Sequence, residues 1–134
     1  MDFVSIRVIT SDVARLVEFY ERATQVEAGW ANEEFAQIRT TRGTLAIAST
    51  RTMSMLAPDA IRPAENRSVI IEFLVEDVDG LYKNLSEFVA DADFVNEPTT
   101  MPWGNRSLLV RDPDGNLVNF FTPVTPDAIE RAAH

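Results

Sequence analysis

From Phe3 to Thr10 the chain alternates Val4, Ile6 and Val8 against Ser5, Arg7 and Ile9, a period of two that predicts a strand with one buried face. At Ser11-Asp12 the period changes. This pair offers an N-cap, and Val13, Leu16, Val17 and Tyr20 then recur at helical spacing, so a helix is predicted to about Thr24. Two strand-like runs follow, Phe35 to Arg39 and Thr44 to Ser49, joined by Thr41-Arg42-Gly43 as a hairpin turn. A further short strand is expected around Ala28 to Ala31.

The same order returns downstream. Ser68 to Val75 reads as a strand and Glu76-Asp77-Val78-Asp79 as a capping stretch. Val78, Leu81, Tyr82, Leu85 and Phe88 lie on one side of the next predicted helix. Phe94-Val95, Arg106 to Arg111 and Leu117 to Thr122 follow as strands, the last two flanking the turn Asp112-Pro113-Asp114-Gly115-Asn116. Laying Asp12-Val13 on Asp77-Val78 brings Leu16 onto Leu81 and Ser5 opposite Ile70. Laying Gly43 on Gly115 puts Ile47 opposite Asn119. The pattern is a duplicated module. We read one domain, residues 1–134, made of two modules at about 3–50 and 68–123. Residues 51–67 form a linker and 124–134 a tail.

Composition narrows the function classes. At 134 residues and 46% hydrophobic, the chain is long enough to bury roughly two thirds of its unfolded surface. It has no cysteine, which excludes disulfides, thiolate metal sites and thiol nucleophiles. A net charge of -9 repels phosphate backbones and anionic lipid, so neither nucleic acid nor membrane is an expected partner. No apolar stretch approaches the ~20 residues of a membrane span, and no signal-peptide pattern opens the chain, so a cytoplasmic location is expected. The one histidine is His134, the last residue, so chemistry based on imidazole has almost nothing to draw on.

The two β-α-β-β-β halves, the run Asp12-Val13-Ala14-Arg15-Leu16-Val17-Glu18-Phe19-Tyr20, and Pro102-Trp103-Gly104-Asn105-Arg106 ahead of Asp112-Pro113-Asp114-Gly115-Asn116-Leu117-Val118 carry a resemblance. Together they resemble the vicinal oxygen chelate superfamily, which includes glyoxalase I, extradiol dioxygenases, fosfomycin-modifying enzymes and bleomycin-resistance proteins. The resemblance covers nearly the whole chain. It implies an α+β fold of two tandem βαβββ modules whose curved mixed sheets enclose a cavity, commonly in a homodimer. It also implies metal ligands at the positions of Ser5, Ile47, Ile70 and Asn119. Two of these are aliphatic and none is charged, whereas a divalent ion needs anionic oxygen or imidazole nitrogen. No metal and no other cofactor is therefore expected.

If Ser5 and Ile70 point into the cavity, alternation sends Arg7, Glu72 and Leu74 the same way. Leu45, Ile47, Leu117, Asn119 and Phe121 join them by the same parity. Trp30, Phe35, Met53, Met55 and Trp103 are the large residues least explained by periodicity, and they suit adaptable apolar contact with a flat ligand. The candidate ligand-binding set is thus Ser5, Arg7, Trp30, Phe35, Ile47, Met53, Met55, Ile70, Glu72, Leu74, Trp103, Asn119 and Phe121. Three functions fit this set. The preferred one is metal-free sequestration of an apolar or aromatic small molecule, including a cationic one, in the manner of bleomycin-resistance proteins. A metal-independent lyase or isomerase using Glu72 as base, with Arg7 and Asn119, is a second. A non-catalytic dimerising module is the third.

Overall fold

The computed structural model describes residues 1–54 and 56–133; Met55 and His134 lie outside them. The chain separates into two compact units, one of Met1–Asn66 with Pro113–Gly115, the other of Arg67–Asp112 with Asn116–His134.

In the first unit, β1 (Ser5–Thr10), β2 (Gly29–Asn32), β3 (Phe35–Arg39) and β4 (Thr44–Ser49) form one sheet in the order β1-β4-β3-β2. β1 runs parallel to β4 and the other pairs are antiparallel. Helix α1 (Val13–Thr24) starts at Asp12, whose carboxylate accepts from the Arg15 N–H at 3.1 Å. The helix stops where Gln25 turns left-handed, at φ 60°. Its stripe of Val13, Leu16, Val17 and Tyr20, together with Phe19 and Ala23, is buried. Ala36, Ile38, Leu45 and Ile47 form the buried layer of the sheet with it. A short helix, α2 (Arg51–Ser54), follows β4.

In the second unit, β5 (Ile70–Leu74), β6 (Thr99–Thr100), β7 (Asn105–Arg111) and β8 (Leu117–Pro123) repeat the topology as β5-β8-β7-β6. Helix α3 (Val78–Leu85) is capped by Asp77, whose side chain accepts from the Gly80 N–H at 3.1 Å. The Thr122 hydroxyl ties the strand-to-helix junction to β8. It accepts from the Val78 N–H at 3.0 Å and donates to the Val75 carbonyl at 2.9 Å. Val78, Leu85, Leu108, Val110, Val118 and Phe120 make the core. The chain closes with α4 (Pro126–Ala132), capped by Thr125.

Two elements differ from the sequence reading. The second predicted helix ends at Leu85, before Phe88, and the strand expected at Phe94-Val95 is reduced to a bridge from Phe94 to Val110. Asn96 takes over the pairing with side-chain atoms, donating to the Ser107 carbonyl and accepting from the Leu109 N–H at 2.7 Å. Pro98, which has no N–H to donate, follows two residues later, and the edge strand forms instead at Thr99–Thr100.

Asp79 in α3 is bound to Arg106 of β7, with its carboxylate accepting from both Nε and Nη2 at 2.9 to 3.2 Å. That hydrogen bond holds the Asp79 carboxyl below its ordinary value of 3.8. A lowered native pKa gives a contribution to stability that is complete above the unfolded value and is lost as pH falls through the native one. Arg106→Gln is therefore expected to flatten the acid limb of the stability curve below about pH 4, read by urea unfolding at stepped pH. Equal acid limbs for wild type and variant would remove the pair from the account.

Candidate functional site

Residues paired across a ladder share a face, so the registers sort each sheet into a helix-covered face and an opposite one. In the first unit, Val8 pairs with Ile47 and Ile47 with Ala36, and these lie on the covered side. The opposite face carries Ser5, Arg7 and Ile9 from β1, Ala46 and Ala48 from β4, and Phe35, Gln37 and Arg39 from β3.

This corrects the expected placement of Leu45 and Ile47. They do not share a face with Ser5 and Arg7, and Ile47 is fully buried under α1. The β3–β4 ladder closes at Arg39 and Thr44, with four residues between, while β7–β8 closes at Arg111 and Leu117, with five. Matching the turns on their glycines ignored that extra residue, and one residue of slip exchanges faces. Ala46, not Ile47, is thus the counterpart of Asn119.

Arg7 has a particular path. Its guanidinium carbon lies 5.3 Å from the centre of the Phe35 ring, although Phe35 is on β3 and β4 stands between. Ala46 and Ala48 present only methyl groups there, so the long side chain crosses β4 and sets its charge over the ring, a cation–π arrangement. Farther along β3, Arg39 donates from Nε and Nη2 to the Gln37 Oε1 at 3.0 and 2.6 Å.

In the second unit the face away from α3 carries Ile70, Glu72 and Leu74 from β5, Leu117, Asn119 and Phe121 from β8, and Ser107, Leu109 and Arg111 from β7. Glu72 and Asn119 are direct cross-strand partners, and the Asn119 amide donates to the Glu72 Oε2 at 2.8 Å. The other amide atom of Asn119, Oδ1, is buried with no hydrogen-bond partner among the described residues. Ile70 and Leu74, on either side of Glu72, are 49% and 46% exposed. The result is a carboxylate and an amide with Ile70, Leu74 and Leu109 beside them, and with Ser107 and Arg111 at the two ends of β7 on the same face.

Ile70, Glu72, Leu74, Asn119 and Phe121 are therefore brought together in the second unit, as Ser5, Arg7 and Phe35 are in the first. Trp30 pairs with Ala36, which puts it on the helix side of its sheet at the outer strand, half exposed. Met53 lies in α2, half-buried, and Met55 is outside the described residues. Trp103 is in the turn before β7, exposed, and its carbonyl accepts from Arg131. Gln37, Arg39, Ala46 and Leu109 were missed by the sequence reading. Alternation from Phe35 would have found Gln37 and Arg39.

The metal positions implied by the resemblance become Ser5, Ala46, Ile70 and Asn119. Among the described residues no three His, Cys, Asp or Glu side chains are grouped to hold an ion, and Glu72 already shares its carboxylate with an amide. This donor set does not fit a divalent cation.

Compared with known proteins, residues 2–120 match the family model of the Glyoxalase/Bleomycin resistance protein/Dioxygenase superfamily. The chain belongs to that superfamily. It is 27% identical over 127 residues to the uncharacterized protein YraH of Bacillus subtilis (strain 168), covering 90% of this chain and 98% of that one. Among solved structures it is similar to a glyoxalase/bleomycin resistance protein/dioxygenase family enzyme from Burkholderia phytofirmans PsJN, at a TM-score of 0.80 and 12% identity, covering 92% and 100% of the two chains. A glyoxalase/bleomycin resistance protein/dioxygenase from Nocardioides aligns at a TM-score of 0.73 and 18% identity, covering 94% and 85%. At these identities the two structures share the fold, the α+β glyoxalase/bleomycin-resistance architecture with two four-stranded mixed sheets. Superfamily membership leaves the reaction open, because one fold carries many chemistries. No described helix is long and apolar enough to cross a membrane.

Proposed function

We propose that this glyoxalase/bleomycin-resistance superfamily chain is a small-molecule-binding protein that works without a resident metal, sequestering an apolar or aromatic compound with a cationic group. Antibiotics include compounds of this kind. The observation that carries the reading is Glu72, held by the Asn119 amide at 2.8 Å and flanked by exposed Ile70 and Leu74. Glu72 is itself exposed, so its carboxylate is open to an arriving ligand. An apolar surround strengthens attraction between a carboxylate and an arriving ammonium group, and the apolar side chains bury the ligand's body.

The unpartnered Asn119 Oδ1 supports the same ligand chemistry. A buried acceptor left without a donor costs about 1–3 kcal/mol, and a ligand N–H would remove that cost. Glu72 and Asn119 then act together, the carboxylate meeting the charge and the amide oxygen meeting a second donor. The working form in this reading is a cytoplasmic homodimer.

The test uses benzylammonium as probe with untagged protein. A ligand present at 100 times its dissociation constant raises stability by about 2.7 kcal/mol, which a thermal melt resolves easily. Glu72→Gln keeps the size and one hydrogen-bond acceptor but removes the charge, and is expected to weaken benzylammonium binding at least about tenfold. Native mass spectrometry of the same sample reads subunit number and any bound metal. Wild type and Glu72→Gln binding the probe equally, or one divalent ion per subunit, would overturn the reading.

A further inference from the structure

The first unit gathers positive charge on the face of its sheet away from α1. Arg7 and Arg39 stand on the same face of the β1–β4 sheet, and both guanidiniums are brought to β3. Arg7 is carried there by the Phe35 ring at 5.3 Å, and Arg39 by the Gln37 carboxamide at 3.0 and 2.6 Å. Phe35 and Gln37 are two residues apart on one strand, so the two holding groups are about 7 Å apart along it. Neither holder is anionic. Among the described residues neither arginine makes an ion pair, so two like charges are oriented toward one strip of strand by groups that leave both undiminished.

Next to this strip lies a cleft of about 360 Å³ lined by Glu27, Gly29, Trp30, Ala31, Gln37 and Arg39. Its floor is low at Gly29, where β2 has no side chain. Gly29 is the cross-strand partner of Gln37, and a Cβ placed on it would meet nothing within 4 Å. Arg39 and its holder Gln37 both line the cleft.

From this geometry we infer that the first unit binds a small organic carboxylate, with the oxyanion received by Arg7 and Arg39 and the organic body seated in the Gly29 cleft. The chemistry is that of charge-assisted hydrogen bonding. Gln37 occupies Arg39 Nε and one hydrogen of Nη2, which leaves Nη1 and the second Nη2 hydrogen to meet two carboxylate oxygens. Arg7, held from below by a ring face, has its in-plane N–H groups free to turn to the same anion. Glu27 at the cleft edge repels a second carboxylate, so a monoanion is the better fit. This site is separate from Glu72 in residues and in the sign of charge it reads, and it stands or falls independently of the function proposed above.

Benzoate is the probe and benzamide, equal in shape and without charge, is its control. Titration followed by calorimetry and by the Arg Nε–H signals in NMR is expected to give saturable benzoate binding that shifts both Arg7 and Arg39, with no saturation by benzamide. Arg7→Met and Arg39→Met are each expected to weaken benzoate about tenfold or more. Both residues are exposed, so the fold should persist, and a melt of each variant verifies that. Gly29→Val supplies a second route. It adds bulk to open space on a strand, leaves both charges intact, and should weaken benzoate by filling the cleft. Benzamide binding as well as benzoate, unchanged affinity in the arginine variants, or no saturable benzoate binding at millimolar concentration would each overturn the assignment.

Discussion

Substituting Phe120 with alanine is expected to destabilise the fold by about 3–5 kcal/mol. Phe120 is fully buried on the central strand of the second sheet, and its ring stacks on Phe73 of β5 with centroids 5.4 Å apart and planes 19° from parallel. Its ladder partners are Phe73 and Leu108, so its removal leaves a void between the sheet and α3 that the hydrogen-bonded strands cannot move to fill. The lost contacts and the cavity act together. Because a domain's whole stability is about 5–15 kcal/mol, the variant should unfold at a much lower urea concentration with the slope of the transition unchanged. A loss under about 1 kcal/mol would mean that this layer repacks far more freely than cores of native density do.

The second large effect is expected at Gly104. This residue has φ +94°, and a Cβ there would lie 2.0 Å from the Thr125 Oγ1 and 3.0 Å from the Ala128 side chain. Alanine is thus opposed twice, by a left-handed backbone that costs an L-residue roughly 1–2 kcal/mol and by a collision. The collision falls on the Thr125 side chain that caps α4 by accepting from the Ala128 N–H, and a lost cap costs about 1 kcal/mol more. Gly104→Ala should therefore destabilise by about 2–3 kcal/mol. A double-mutant cycle separates the two causes. In a Thr125→Ala background the Gly104→Ala cost should shrink toward the backbone contribution, because the hydroxyl in its way is gone. An undiminished cost would show that Thr125 yields freely and that backbone conformation accounts for the whole effect.

Both residues stand in stretches that the sequence already marked, Phe120 on a clear strand and Gly104 in Pro102-Trp103-Gly104-Asn105-Arg106. What makes them vulnerable was less visible. The stacking of Phe120 on Phe73 depends on parallel pairing of β5 with β8 across more than forty intervening residues, and no local pattern states which strands become neighbours. The need for glycine at 104 comes from α4 returning beside the turn. The sequence reads Asp127 to Ala133 only as a short polar helix or a loose tail and says nothing of what it packs beside.

The candidate site divides in the same way. Ile70, Glu72 and Leu74 share a face by simple alternation, so the carboxylate and its two flanking residues were legible without a structure. Asn119 joined them because matching Gly43 with Gly115 left the second hairpin's own parity correct. The same match misplaced Ile47, since the first hairpin is one residue shorter. Trp30 stood out for its size, yet size does not say on which side of a strand a ring falls, and its pairing with Ala36 put it on the helix side. Arg39, conversely, drew no attention because a charged residue at the end of a strand ordinarily points to water. Only the position of Gln37 and the convergence with Arg7 give it a role.

The sequence by itself determined the repeated strand and helix pattern, the caps at Asp12 and Asp77, the Asp112–Asn116 turn and the family, because each is written in residues close together along the chain. Hydrogen bonds within a turn, helical spacing and strand alternation are all local. Tertiary structure decided which strands pair and in what register, and through register which side chains meet: Glu72 with Asn119, and Arg7 with Phe35 across β4. Register is a relation between distant segments, fixed by hairpin length and by the burial of one face, and a shift of a single residue reverses it.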